Sequence, residues 1–226
     1  MPPAESAIPH VAPDALKEML DPRRSALLVI DVQEDFAGPS GAMARGGADM
    51  SGVGPALDRI VALIDAARGA GVQVAFARIS TSPQTDSGAL RRLNARKGGG
   101  KEAMALCREG ERGSAYHRVA PHPGDIEATK RLFNAFHGTR LEEDLRARGV
   151  YSLVVVGFTT HCCVEATCRD AFHRDFDVFV VSDATDAYDS ALHLGALRAL
   201  RETSALITDA ASVIAAWRPL ATGSLA

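Results

Sequence analysis

The chain has no excess of charge of either sign: 25 Lys and Arg stand against 28 Asp and Glu, for a net charge of −3 and a pI near 6.2. Without a basic field nothing holds a polyanion, which argues against nucleic acid or an anionic membrane and leaves a small molecule as the expected partner. No apolar run reaches membrane-spanning length, and no secretory leader pattern is present. Its four cysteines, two of them adjacent, lack the spacing of a disulfide framework. These absences predict a reducing, cytoplasmic setting. Glycine and proline are not enriched, no internal repeat occurs, and 226 residues with 46% hydrophobic content suffice for one domain with a full core.

The most informative stretch is YSLVVVGFTTHCCVEATCRDAFHR, residues 151 to 174. Leu153, Val154, Val155 and Val156 make an apolar run too short for a helix and bounded by Gly157, the pattern of a strand covered on both faces in a parallel sheet. From Cys163 onward Val164, Thr167, Cys168, Ala171 and Phe172 recur at helical spacing. Cys163 is therefore expected in the first helical turn, at the carboxyl end of a strand, where open parallel sheets place their ligands. Backbone N–H groups and the helix dipole there favour thiolate, making Cys163 a candidate nucleophile. A cysteine beside valines is otherwise a small core residue.

Residues 1 to 24 carry no constellation of catalytic types and are expected to be an arm with a short helix over Pro13 to Leu20; residues 25 to 226 form the domain. Ser25 to Ile30 predicts a buried strand that delivers Asp31 at its carboxyl end. Pro55 opens an amphipathic helix that closes at Gly69-Ala70-Gly71, and Val72 to Arg78 is the second strand. Residues 79 to 124 lack periodicity and suit a lid, a subunit contact or disorder. Their basic cluster, Arg91, Arg92, Arg96, Lys97 and Lys101, could attract a carboxylate, although a solvated charge run explains it more simply. Thr139 to Glu142 has the form of a capping box opening a helix to Arg148. Asp177 to Val181 and Ala205 to Ile207 are further strands, and helices are expected over Ala191 to Arg201 and Ala210 to Trp217. This alternation predicts a doubly wound α/β domain, a mainly parallel sheet with helices on both faces in a Rossmann-like three-layer arrangement.

Three blocks together carry a family likeness: ALLVIDVQEDF at 26 to 36, K-x-x-x-N-A-F-x-G-T-x-L from Lys130 to Leu141, and GFTTHCCVEATCRDA at 157 to 171. In this order they resemble the isochorismatase-like cysteine hydrolase superfamily, which includes nicotinamidases, N-carbamoylsarcosine amidohydrolase, ureidoacrylate amidohydrolase and biuret hydrolase. The resemblance implies a triad of Asp31, Lys130 and Cys163 and a non-proline cis peptide before Thr159. It further implies an oxyanion hole from the backbone N–H groups of Thr159 and Cys163, and a homo-oligomer, a dimer or tetramer. An amide or ureide carbonyl is a poor electrophile with a poor leaving group, so hydrolysis needs a strong nucleophile, an acid for the nitrogen and donors for the oxyanion. The implied residues supply all three.

Departures narrow the expectation. Nicotinamidases resemble one another in a histidine-containing metal site, whereas residues 32 to 81 here contain no histidine, so no metal or other cofactor is expected. Isochorismate-cleaving members lack the nucleophilic cysteine that this chain keeps. That leaves linear amides and ureides. Phe36, Phe133, Phe158 and Tyr188 are candidates for the pocket wall, and Arg78, Asn134 and His161 for its polar ends. A thiol redox or metal site built on His161, Cys162, Cys163, Cys168 and His173, or a binding module without catalysis, are the competing readings; the spacing matches neither a C-x-x-C pair nor zinc pairs.

Overall fold

The computed structural model describes residues 8–99 and 105–218, so Lys101 and the first seven residues of the expected arm lie outside the described residues. Six strands form one sheet: β1 Ser25–Ile30, β2 Gln73–Ile79, β3 Ile126–Lys130, β4 Ser152–Phe158, β5 Asp177–Asp186 and β6 Leu206–Thr208. Their order is β3-β2-β1-β4-β5-β6, and every pairing is parallel. The nine α-helices among the described residues are α1 Pro13–Met19, α2 Glu34–Ala37, α3 Ala42–Arg45, α4 Val53–Ala70, α5 Gly88–Arg96, α6 Leu141–Ala147, α7 Glu165–His173, α8 Ser190–Thr203 and α9 Ala210–Trp217. This is the doubly wound α/β architecture expected from the alternation of elements. Order reverses between β1 and β4, so the crevice at their carboxyl ends is where such a sheet receives a ligand.

Each central strand feeds two cores. Leu27 and Val29 of β1, with Val154, Val156 and Phe158 of β4, pack on one face against α4 and α9. Ala26, Leu28 and Ile30, with Leu153 and Val155, pack on the other against α6, α7 and α8. All six residues of β1 and all seven of β4 are buried, which is why both read as unbroken apolar runs.

Several expectations are corrected. Leu16 and Leu20, in the segment expected to be an arm, are fully buried in the α4-side core. Residues 79 to 124 are not featureless: they hold α5, the bridge Thr81 to Arg108 closes the segment on itself, and the bridge Gln33 to Tyr116 ties it to the body. Strand β3 escaped the pattern reading because it lies at the sheet edge and alternates buried with exposed residues in a five-residue strand containing Glu127 and Thr129. No capping box forms at α6. The Thr139 hydroxyl accepts the Leu141 N–H at 3.3 Å and donates to Ala135 O, and Arg140 is the N-cap.

Candidate active site

Asp31 leaves β1 in the left-handed region, φ 51°, which Asp adopts more readily than most residues. Its N–H donates to Ala77 O at 2.8 Å, and its Oδ1 accepts the Ile79 N–H at 2.9 Å, so the end of β2 fixes the carboxylate. Gln33 strengthens that fixation: its Oε1 accepts the same N–H and its Nε2 donates to Ile79 O and Ser114 O, each at 2.9 Å. Lys130 ends β3 and reaches across the end of β2. Its ammonium donates to Asp31 Oδ2 at 2.6 Å, to Leu132 O at 3.1 Å and to Cys163 Sγ at 3.5 Å, which occupies all three of its N–H bonds. Both side chains of the ion pair are 0% exposed. A buried pair of this kind roughly balances desolvation against attraction, but deleting one partner costs about 3 to 5 kcal/mol because a bare charge remains.

Cys163 sits in a π-helical turn, Thr160–Val164, that continues into α7, and only 4% of it is exposed. Such turns are rare and concentrate at functional sites. Thr159 O accepts N–H bonds from Cys162 and Val164, at 3.1 and 3.2 Å. The Phe158–Thr159 peptide is cis, as the resemblance implied. Just upstream, Gly157 at φ 120° passes so close to β1 that a Cβ would stand 2.0 Å from Ile30 O. The glycine thus lets the Cys163 loop close onto the strand that carries Asp31.

The electrostatics correct one expectation. A hydrogen bond to Cys162, burial and the nearby Asp31 charge together push the Cys163 thiol well above its ordinary pKa, against Lys130. Helix-start stabilisation of a thiolate does not decide its state, because the site is buried and already holds a carboxylate. Burial also lifts Asp31 above the usual carboxylate range, opposed by Lys130. On Lys130 burial works against the charge, but Asp31 and Cys163 outweigh it and its proton is held more tightly than usual. The arrangement sets a less acidic thiol beside a more basic carboxyl group, with the Lys130 ammonium against both.

Cys163 opens onto a cavity of about 210 Å³ whose wall includes Phe36, Met43, Leu90, Phe133 and Tyr188. Two larger hollows, of about 370 and 680 Å³, lie at the opposite, amino-terminal ends of the strands, away from the Asp31, Lys130 and Cys163 cluster. Of the residues singled out in the sequence, Phe36, Phe133, His161 and Tyr188 line the cavity with Thr159 and Cys163. The other three lie elsewhere. Phe158 is fully buried in the α4-side core. Arg78 stacks its guanidinium over the Tyr116 ring, 5.5 Å from its centroid. Asn134 donates to Asp170 at 2.6 Å and accepts the Phe136 N–H at 2.9 Å, holding its own turn.

Pattern reasoning missed Leu90 and Met43, which reach the cavity from segments without clear periodicity, and Arg131, whose one signal is its place after Lys130. It also missed Asp35, which accepts N–H bonds from Ala42 at 3.0 Å and Cys107 at 2.7 Å and so gathers two wall-forming segments. Among the described residues no group of three or more His, Cys, Asp or Glu side chains is arranged to hold a metal ion.

A family model described as "Isochorismatase domain" matches residues 25–212. The ureidoacrylate amidohydrolase RutB of Methylobacterium radiotolerans is 36% identical over 204 residues, covering 85% of this chain and 79% of that protein. Among solved structures, a cysteine hydrolase from Pseudomonas syringae pv. phaseolicola is 26% identical with a TM-score of 0.77, over 94% of this chain and 98% of that one. The N-carbamoylsarcosine amidase of Thermoplasma acidophilum is 27% identical with a TM-score of 0.65, over 83% of this chain and 96% of that one. With the sheet order, the Asp31–Lys130 pair and the cysteine after β4 already in place, the chain belongs to the isochorismatase family.

Proposed function

We propose that this protein is a cysteine hydrolase that cleaves a C–N bond of a small linear amide or ureide through a thioester on Cys163. The observation that carries this reading is the buried Asp31–Lys130 pair, with the Lys130 ammonium 3.5 Å from the sulfur of Cys163, which lines a small cavity. Asp31 takes the thiol proton as Sγ attacks the carbonyl carbon. Backbone N–H groups of Thr159 and Cys163 are the proposed donors to the tetrahedral oxyanion. Asp31 then passes the proton to the departing nitrogen, and ammonia or an amine leaves. A water, deprotonated by Asp31, attacks the thioester and releases a carboxylic or carbamic acid and the free thiol. Lys130 remains an ammonium throughout, balancing the negative charge as it moves between Asp31 and Cys163. Phe36, Phe133, Tyr188 and His161 contact the substrate in this reading.

The name ureidoacrylate amidohydrolase, carried by relatives 32 to 36% identical to this chain, supports an open-chain ureide. Four free cysteines suit a reducing cytoplasm. Exposed Met19, Phe172 and Leu206 supply apolar surface for the expected dimer or tetramer.

A panel of small primary amides, N-carbamoyl amino acids, ureidoacrylate, biuret, nicotinamide and isochorismate tests the assignment, with ammonia or pyruvate release as the readout. Release of ammonia from an open-chain ureide or amide, undiminished by exhaustive chelation, is the expected result. Best turnover with nicotinamide or isochorismate, or activity lost on chelation and restored by zinc or iron, would contradict it.

A further inference from the structure

The polar groups around the cavity are nearly all engaged. Asp86 is held by the Arg108 guanidinium in a two-pronged pair, at 2.6 and 2.9 Å. The Thr81 hydroxyl donates to Leu106 O at 2.6 Å, Tyr188 donates to Phe36 O at 2.7 Å, and Ser87 Oγ accepts the Leu90 N–H at 3.3 Å. Asp31 and Lys130 are paired with each other, and their remaining side-chain hydrogen bonds go to Ile79, Leu132 and Cys163. Two nitrogen-bearing side chains are left over. Arg131 lines the cavity, is exposed, and has no hydrogen-bond or ion-pair partner among the described residues. His161 Nδ1 is buried in the same wall with no partner. With each carboxylate at the cavity already matched by a cation, Arg131 leaves it with an unbalanced positive charge.

Building on the hydrolase reading above, we propose that Arg131 is the anchor for a substrate carboxylate, so that the preferred ureide is an acid, with His161 Nδ1 available to its polar body. A planar guanidinium matches a carboxylate in two parallel hydrogen bonds, which fixes orientation as well as charge. Arg131 immediately follows Lys130, so an acid held there can place its ureido carbonyl toward Cys163 across an apolar gap bounded by Phe133 and Leu90. A neutral ureide gains none of that binding.

The test compares 3-ureidopropionate with propylurea, an uncharged ureide of similar length, on the wild type, Arg131→Gln and Arg131→Lys. The wild type should favour the acid in kcat/KM. Arg131→Gln should lose roughly 10- to 100-fold on the acid, chiefly through KM, as expected for removing a charged hydrogen bond, and should leave propylurea unchanged. Arg131→Lys should recover part of the loss, since it keeps the charge but not the fork. Wild-type preference for propylurea, an Arg131→Gln variant that keeps the acid preference, or equal losses on both substrates would overturn the anchor while leaving the hydrolase reading intact. A wild type that hydrolyses neither ureide but cleaves a simple amide would remove both the ureide class and the anchor.

Discussion

Lys130 touches both other members of the cluster, and its ammonium explains how a buried aspartate and a buried thiol can share a site without either charge standing alone. Because the hydrogen bond to Cys162, burial and the Asp31 charge push the Cys163 thiol well above its ordinary pKa, the free enzyme should alkylate slowly at neutral pH. The sign is fixed by the direction of the shift: a raised pKa moves the thiolate to higher pH. The rate of Cys163 carbamidomethylation by iodoacetamide, followed by tandem mass spectrometry to separate it from Cys162, should therefore still be rising at pH 9. A plateau below pH 8 would mean that the thiolate is the resting form. At this scale the sequence was informative where chemistry and strand ends coincide, as at Asp31 and Cys163. It was silent where a side chain's partner decides: nothing in the chain order says that Asn134 spends itself on Asp170 or that Arg78 stacks on Tyr116.

Among elements, β4 and the turn after it carry the tightest constraint. Gly157 has no room for a side chain against Ile30 O and holds a φ that L-residues avoid. Gly157→Ala should cost at least about 2 kcal/mol from overpacking and backbone strain, and should lower kcat as well, since Asp31 and Thr159 lie on either side of the contact. Urea denaturation and steady-state kinetics read the two effects; wild-type values in both would refute the close-packing account. The central strands were legible because burial on both faces writes an unbroken apolar run. Edge strand β3 was not, since its alternate residues face solvent and its burial is a property of the assembled sheet. Helix α5 was hidden for a related reason: none of its residues is fully buried, and its position depends on the Ser87 cap and the Asp86–Arg108 pair rather than on an apolar face.

For the molecule as a whole, topology does what local pattern cannot. Asp31 and Cys163 stand 132 residues apart in the chain with Lys130 between them, and it is the reversal of strand order between β1 and β4 that brings them to one crevice. The alternation of elements predicted the architecture, but placing β3 beyond β2, so that a lysine must reach over a neighbouring strand, required the fold itself. The burial of Leu16 and Leu20 was equally a whole-molecule fact, since α1 gains its partners from α9 at the far end of the chain. The claim on which everything else depends is covalent catalysis by Cys163, and trapping the intermediate tests it most directly. Wild-type enzyme quenched during turnover of an open-chain ureide or amide should carry an acyl or carbamoyl adduct localised to Cys163 by mass spectrometry, and Cys163→Ala should fold normally with neither adduct nor turnover. Turnover that survives in Cys163→Ala, or an adduct found instead on Cys162, would contradict it.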